Sequence, residues 1–207
     1  MKILNLYSGL GGNRKKWENV DVTAVESSKK IADIYINQFP EDQVIIGDAH
    51  DYLLKNYDKF DFIWSSPPCQ SHSRMMKATR HNIRKYPDMN LYQEIIFLQH
   101  FFKRKWIVEN VKPYYDPLIK PTSINGRHFI WSNFNIPELH IPSPKNFINS
   151  TNSKGAEALK EWLGINYEGN VYYEGNHCPA QVLRNCVHPD LGLHILESSK
   201  AFRFRRS

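Results

Sequence analysis

Apolar strands and amphipathic helical stretches alternate along the chain. Ile3, Leu4 and Leu6 mark a strand over 2–7, and Val20, Val22 and Val25 a second over 20–26. Val44 to Ile46 predicts a third, and Asp61 to Ser66, with Phe62, Ile63 and Trp64, a fourth. Between them Ile31, Ile34, Tyr35 and Phe39 recur at helical spacing behind a Ser27 or Ser28 cap, and Asp51 to Tyr57 reads as another helix. The opening therefore reads β-loop-α-β-α-β-α-β. Further on, Leu91, Ile95, Leu98 and Phe102 share one helix face, with Asp88 or Asn90 as cap. Lys105 to Val111 and Arg127 to Phe134 predict strands, Gly155 to Leu163 a short helix, and Pro189 to Ser199 a last helix opened by proline. Strands alternating with helices imply an α/β fold, a mostly parallel sheet with helices on both faces. Ligands of such sheets bind outside the carboxyl ends of the strands. That edge would collect Gly9, Gly11, Glu26, Asp48 and Cys69.

Two strand ends carry candidate chemistry. Pro67 and Pro68 cannot donate to a sheet ladder, so they end the fourth strand and stiffen the turn that presents Cys69 and Gln70. A cysteine held there is placed as a nucleophile, although free cysteines are commonly inert core residues. Glu109 and Asn110 interrupt an apolar strand, and a buried carboxylate is costly without a partner. The alternative is a solvated strand end.

The loop Ser8-Gly9-Leu10-Gly11-Gly12 follows the first strand at once, a common nucleotide-pocket device that is nonspecific alone, the alternative being a plain glycine turn. Arg14 stands where a dinucleotide fingerprint needs glycine, which disfavours a nicotinamide cofactor. Glu26, at a strand end, can accept ribose hydroxyls. Asp48 can meet an adenine amino group, cap the next helix, or do both. The segment 71–86 holds Arg74, Lys77, Arg80, Arg84 and Lys85 with no acidic residue. Beside a nucleophile it reads as a phosphate-binding lid, or else as a solvated basic loop.

The 207 residues suffice for one well-buried core, and 41% apolar content fits a globular protein. A net charge of +6 favours a polyanionic partner. Three widely spaced cysteines build no disulfide framework and favour a reducing compartment. Cys178, Cys186, His177 and His188 match no standard zinc spacing, so no metal is expected. No apolar run approaches the ~18 residues of a membrane span, and no signal peptide is evident. The expectation is a cytoplasmic protein without a membrane partner.

In chain order, Tyr7-Ser8-Gly9-Leu10-Gly11-Gly12, Pro67-Pro68-Cys69-Gln70 and Glu109-Asn110-Val111 resemble the motifs of the DNA (cytosine-5) methyltransferases. Gln181 to Pro189 resembles that family's last motif, with Asn185 and Val187 in place and Arg184 where the family has glycine. Arg127 resembles the start of its arginine-bearing strand, but His128 follows where the family tends to alternate two arginines. The resemblance covers 3–134 and 181–197.

It implies a Rossmann-like methyltransferase fold using S-adenosylmethionine. The cofactor site would be Tyr7, Ser8, Gly9, Leu10, Gly11, Gly12, Glu26, Asp48, Ala49, Pro67, Asn185 and Val187. Cys69, Glu109 and Arg127 would be catalytic; Pro68, Gln70, Ser71, Arg74 and Asn110 would meet substrate. His72 and Arg74 are candidates to favour the Cys69 thiolate. Residues 1–135 would form the catalytic and cofactor core, 136–180 a small irregular insert, and 181–207 the motif and helix completing the core. That insert is far too short for the family's recognition domain. Its Tyr167, Tyr172 and Tyr173 would stack on bases or pack the insert.

The expected partner is cytosine-containing DNA, with a partner subunit one route to sequence recognition. Competing readings are a methyltransferase of single strands or nucleotides, and a DNA-binding module that keeps only the fold.

Overall fold

The computed structural model describes residues 1–73, 86–144, 153–173 and 178–201. Strands β1 (Lys2–Leu6), β2 (Asp21–Glu26), β3 (Gln43–Ile46), β4 (Phe62–Ser65) and β5 (Lys105–Val111) run parallel. Strands β6 (Ser123–Asn125) and β7 (His128–Ser132) complete the sheet, β7 antiparallel to both β5 and β6. The order is β3-β2-β1-β4-β5-β7-β6. Because β2 and β4 flank β1, the crevice over β1 and β4 is the switch point where such sheets bind ligands.

Side-chain alternation explains why both faces are covered. Leu4, Leu6, Ile63, Trp106, Val108, Phe129 and Trp131 point into one core with helices α2 (Ala49–Asn56) and α3 (Asn90–Phe101). Their neighbours Ile3, Phe62, Trp64, Ile107 and Ile130 point the other way, against α6 (Pro189–Ala201). Strands buried on both faces read as continuous apolar runs, as Phe62-Ile63-Trp64 does. A third core joins Leu10 and α1 (Lys29–Gln38) to α4 (Ser153–Leu163) and α5 (Ala180–Arg184).

The helix expected after the glycine loop is replaced by consecutive turns, with Gly11 N–H donating to Ser8, Arg14 to Gly11 and Trp17 to Arg14 carbonyls. The C-terminal helix takes the space. A Cβ on Gly192 would lie 2.2 Å from the Asn13 carbonyl oxygen, and the Trp17 indole donates to Gly192 O at 3.0 Å. Ser28 occupies the N-cap position of α1, but its side chain makes no capping bond. The apolar pattern of the sequence predicts neither β6 nor α5; both are very short. Among the described residues no helix is long and apolar enough to cross a membrane.

Candidate active site

The corner beyond β4 and β5 is built by hydrogen bonds that hold a proline turn in one place. Asn110 Nδ2 donates to Pro67 O at 2.9 Å, and its Oδ1 accepts the Val111 amide. The amides of His72 and Ser73 both donate to Cys69 O, closing the turn behind the sulfur. The Asn110 amide is therefore engaged in orienting the cysteine turn.

Glu109 lies on the opposite face of β5 from Asn110 and is 6% exposed. Ser66 Oγ donates to Oε2 at 2.9 Å, His128 Nδ1 lies 2.6 Å from Oε1, and Trp64 Nε1 donates to Ser66 Oγ at 2.9 Å. Burial pushes the Glu109 carboxyl up, but the His128 ring, its hydrogen bond, Ser66 and Arg127 together hold it below its ordinary value. Cys69 shows the reverse balance. Burial first, then the Glu109 charge, push its thiol up to about 11, against the pull of Arg127. The sulfur is thus protonated at neutral pH in this state. One Arg127 Nη donates to the carbonyls of Arg184 and Cys186, tying the β6–β7 turn to the C-terminal motif.

The remaining wall faces the carboxyl ends of β1, β2 and β3. Tyr7 adopts φ 55° and Gly9 φ 54°, both in the left-handed region. Glu26 accepts the Gly9 amide at 3.0 Å and the Ser28 amide at 2.8 Å. Ser27 Oγ also donates to Oε1, at 3.4 Å, so it is Oε2 that keeps a lone pair for a further donor. Gln181 Nε2 donates to Asn185 Oδ1 at 2.9 Å, placing Asn185 in the wall.

One cavity brings most of the expected residues together. Cys69, Glu109, Arg127, Pro68, Gln70 and Asn110 line it, with Tyr7, Ser8, Gly9, Gly12, Glu26, Ala49, Pro67, Asn185 and Val187. Several expectations require correction. Leu10 is fully buried in the third core, away from the cavity wall. Gly11 is also off the wall; a Cβ there would lie 2.3 Å from the Phe39 ring, so the glycine serves packing. Asp48 takes the capping role, accepting the Asp51 amide at 2.8 Å, and does not line the cavity. Ser71 instead accepts the Asp88 amide at 2.9 Å. His72 is buried and meets Tyr115 Oη at 2.6 Å; burial lowers its pKa, so it does not supply a charge to Cys69. Arg74 and the basic residues to Lys85 lie outside the described residues, as do His177 and the tail 202–207.

The wall also holds residues that sequence reasoning did not select, among them Asn13, Ser66 and His128. His128 pairs with Glu109 only because β7 runs antiparallel beside β5, setting His128 opposite Val111. Of the three tyrosines, Tyr173 lines the cavity, whereas Tyr167 packs under Lys160 Nζ, 4.3 Å from the ring centre. Among the described residues no cluster of His, Cys, Asp or Glu has the makings of a metal site.

The profile of C-5 cytosine-specific DNA methylases matches residues 1–118, more than half of the chain. The chain belongs to the C-5 cytosine-specific DNA methylase family. No curated protein sequence matches this methylase. Its fold is similar to that of Spodoptera frugiperda DNMT2, at 14% identity, TM-score 0.55, and coverage of 96% of this chain and 99% of that one. It also matches a structure described as a putative DNA modification methyltransferase encoded within an Escherichia coli prophage. That match has 20% identity and TM-score 0.39, and covers 56% of this chain but only 33% of the other.

Membership carries the reaction class, cytosine-5 methylation with S-adenosylmethionine as methyl donor. The cavity fits that cofactor on two observations. Ser8 Oγ is buried in its wall without a hydrogen-bond partner, and a Cβ at Gly9 would meet nothing within 4 Å. A ligand can therefore reach the backbone and satisfy the hydroxyl. In this short methylase the interval between β7 and Gln181 leaves no room for the family's recognition domain.

Proposed function

We propose that the methylase acts through a covalent adduct between Cys69 and carbon 6 of cytosine in DNA. The observation that carries this reading is the meeting of Cys69 and Glu109, remote in sequence, in the wall of one cavity. At rest the pair shares one proton, held on sulfur, because burial and the Glu109 charge oppose a thiolate. Transfer of that proton to Glu109 removes the opposing charge and leaves the thiolate facing Arg127. Sγ then bonds to carbon 6, and the ring electrons move toward carbon 5 as protonated Glu109 donates to N3. S-adenosylmethionine, when bound, supplies the electrophilic methyl group. Loss of the carbon 5 proton to solvent and return of the N3 proton to Glu109 restore the ring and break the Sγ–carbon 6 bond, and the released thiolate takes its proton back from Glu109.

Each remaining wall residue has a place in this reading. Glu26, Ser8 and the Gly9 backbone hold the nucleoside and amino-acid ends of the cofactor, with Asn185 and Val187 closing the pocket. Pro68 and Gln70 flank the target base. A cytosine in a duplex must be flipped out, at about a few kcal/mol. The basic segment 71–86 is the candidate for phosphate contact. Residues 1–135, 136–180 and 181–207 serve as core, reduced insert and completing motif.

Incubation with labelled S-adenosylmethionine and DNA, followed by mapping of the methylated base, tests the reading. Cys69→Ala should abolish transfer while leaving cofactor binding intact; full activity in that variant would remove the thiolate mechanism. The small insert favours a second reading, with single strands or nucleotides as substrate or a partner subunit for recognition. Comparing incorporation into duplex, single strand and nucleotide separates these substrates.

A further inference from the structure

Glu94 has no exposed surface, and the chemistry above does not use it. It sits on α3 under the sheet edge, outside the cavity wall. Tyr7 Oη donates to Oε1 at 2.6 Å, His50 Nδ1 lies 3.1 Å from the same oxygen, and Ser65 Oγ donates to Oε2 at 2.5 Å. These groups come from the loop after β1, the start of α2 and the end of β4. Tyr7 itself lines the cavity; His50 follows Ala49 and Ser65 precedes Ser66, both wall residues. One sealed carboxylate thus ties together the walls that surround the cofactor pocket.

Tyr7 is where this matters most. A bulky residue at φ 55° is disfavoured unless its surroundings hold it. Here the hydroxyl is fixed by Glu94 on one side, while two residues on the Gly9 amide is fixed by Glu26. Burial and the Glu94 charge push the Tyr7 hydroxyl far above its ordinary range, so it remains a donor. A buried carboxylate is also an expensive way to seat a helix, since apolar residues of similar volume often serve as well. Its partners give it another use.

We infer that Glu94 is a positioning residue for the cofactor, acting through Tyr7 to set the loop that S-adenosylmethionine meets. This rests on the cofactor reading of the cavity. The test is calorimetric titration of the full chain with S-adenosylhomocysteine, for the wild type, Glu94→Gln, Tyr7→Phe and the double variant. Tyr7→Phe removes one oxygen and keeps the ring in the wall. Each single change should weaken binding about tenfold, the order expected for one hydrogen bond to a charged group. The double variant should be no weaker than the poorer single one, because both remove the same link. Near-wild-type affinity in folded Tyr7→Phe, or losses that simply add, would overturn the inference. Should Glu94→Gln fail to fold, Tyr7→Phe alone still decides between a tenfold loss and none. No binding by the wild type would sink the cofactor reading itself, a result distinct from variants that bind as the wild type does.

Discussion

Adjacent serines at the end of β4 feed two buried carboxylates on opposite faces of the sheet. Ser66 donates to Glu109 and Ser65 to Glu94. Each carboxylate also meets a histidine ring nitrogen, His128 at 2.6 Å and His50 at 3.1 Å. The inventories are nearly the same, yet Glu109 opens onto the cavity and Glu94 does not. Access separates them. A carboxylate that a substrate ring can reach is able to exchange a proton with it, whereas a sealed one can only hold its neighbours in place. The cysteine belongs to the first group: Cys69 lines the same cavity and responds to the Glu109 charge.

Breaking the open site should have the largest effect. Glu109→Gln keeps the shape but removes the proton acceptor, and methyl transfer to DNA should fall by about 10²–10⁴-fold in single-turnover assays. Retained activity would show that Glu109 only packs.

The serine pair sharpens the contrast at smaller magnitude. Ser65→Ala strips a donor from a carboxylate that water cannot reach, so chemical denaturation should show a loss of about 1–3 kcal/mol. Ser66→Ala acts beside an open cavity, where water can replace the hydroxyl. Its stability loss should be about 1 kcal/mol or less, with its main effect on the rate and its pH profile. Equal stability losses would contradict the distinction between open and sealed sites.

The smallest effect is a pair of opposite pH dependences in thermal unfolding. Glu109 is held below its ordinary carboxyl value, so its contribution is present above that value and is lost as pH falls through the lowered one. His50 is raised by its hydrogen bond to Glu94, against partial burial, with Asp48 and Asp51 adding to the rise. Its contribution is complete below the ordinary value of 6.5 and disappears as pH climbs through the raised one. Glu109→Gln should flatten the acid limb alone, and Glu94→Gln only the limb that begins at the ordinary histidine value and runs upward. A variant that moved both limbs would tie the sites together.

Much of this arrangement was readable in advance. Apolar runs ending in Ser-Gly, Val-Glu, Gly-Asp and Pro-Pro-Cys placed the reactive edge, since a parallel sheet puts every strand's carboxyl end on one side. Glu94 carried a signal that was passed over: it lies on the same helical stripe as Leu91, Ile95 and Leu98, a carboxylate among buried apolar positions. Gly11 misled for a different reason. It answers to the Phe39 ring, a partner distant along the chain, whereas Gly12 lines the cavity as expected. The turns before β2 stand in place of a helix because α6 packs there.

What the sequence alone determined is the periodicity of its elements and the residue types at their ends, because strand alternation and proline breaks are local. The tertiary structure decided which charges face one another. The Glu109–His128 pair depends on the register of β5 with β7, and the Glu94 cluster on three segments converging beneath one helix. It also decided the protonation of Cys69, because burial and a neighbouring charge depend on the packed surroundings and not on the residue's own chemistry.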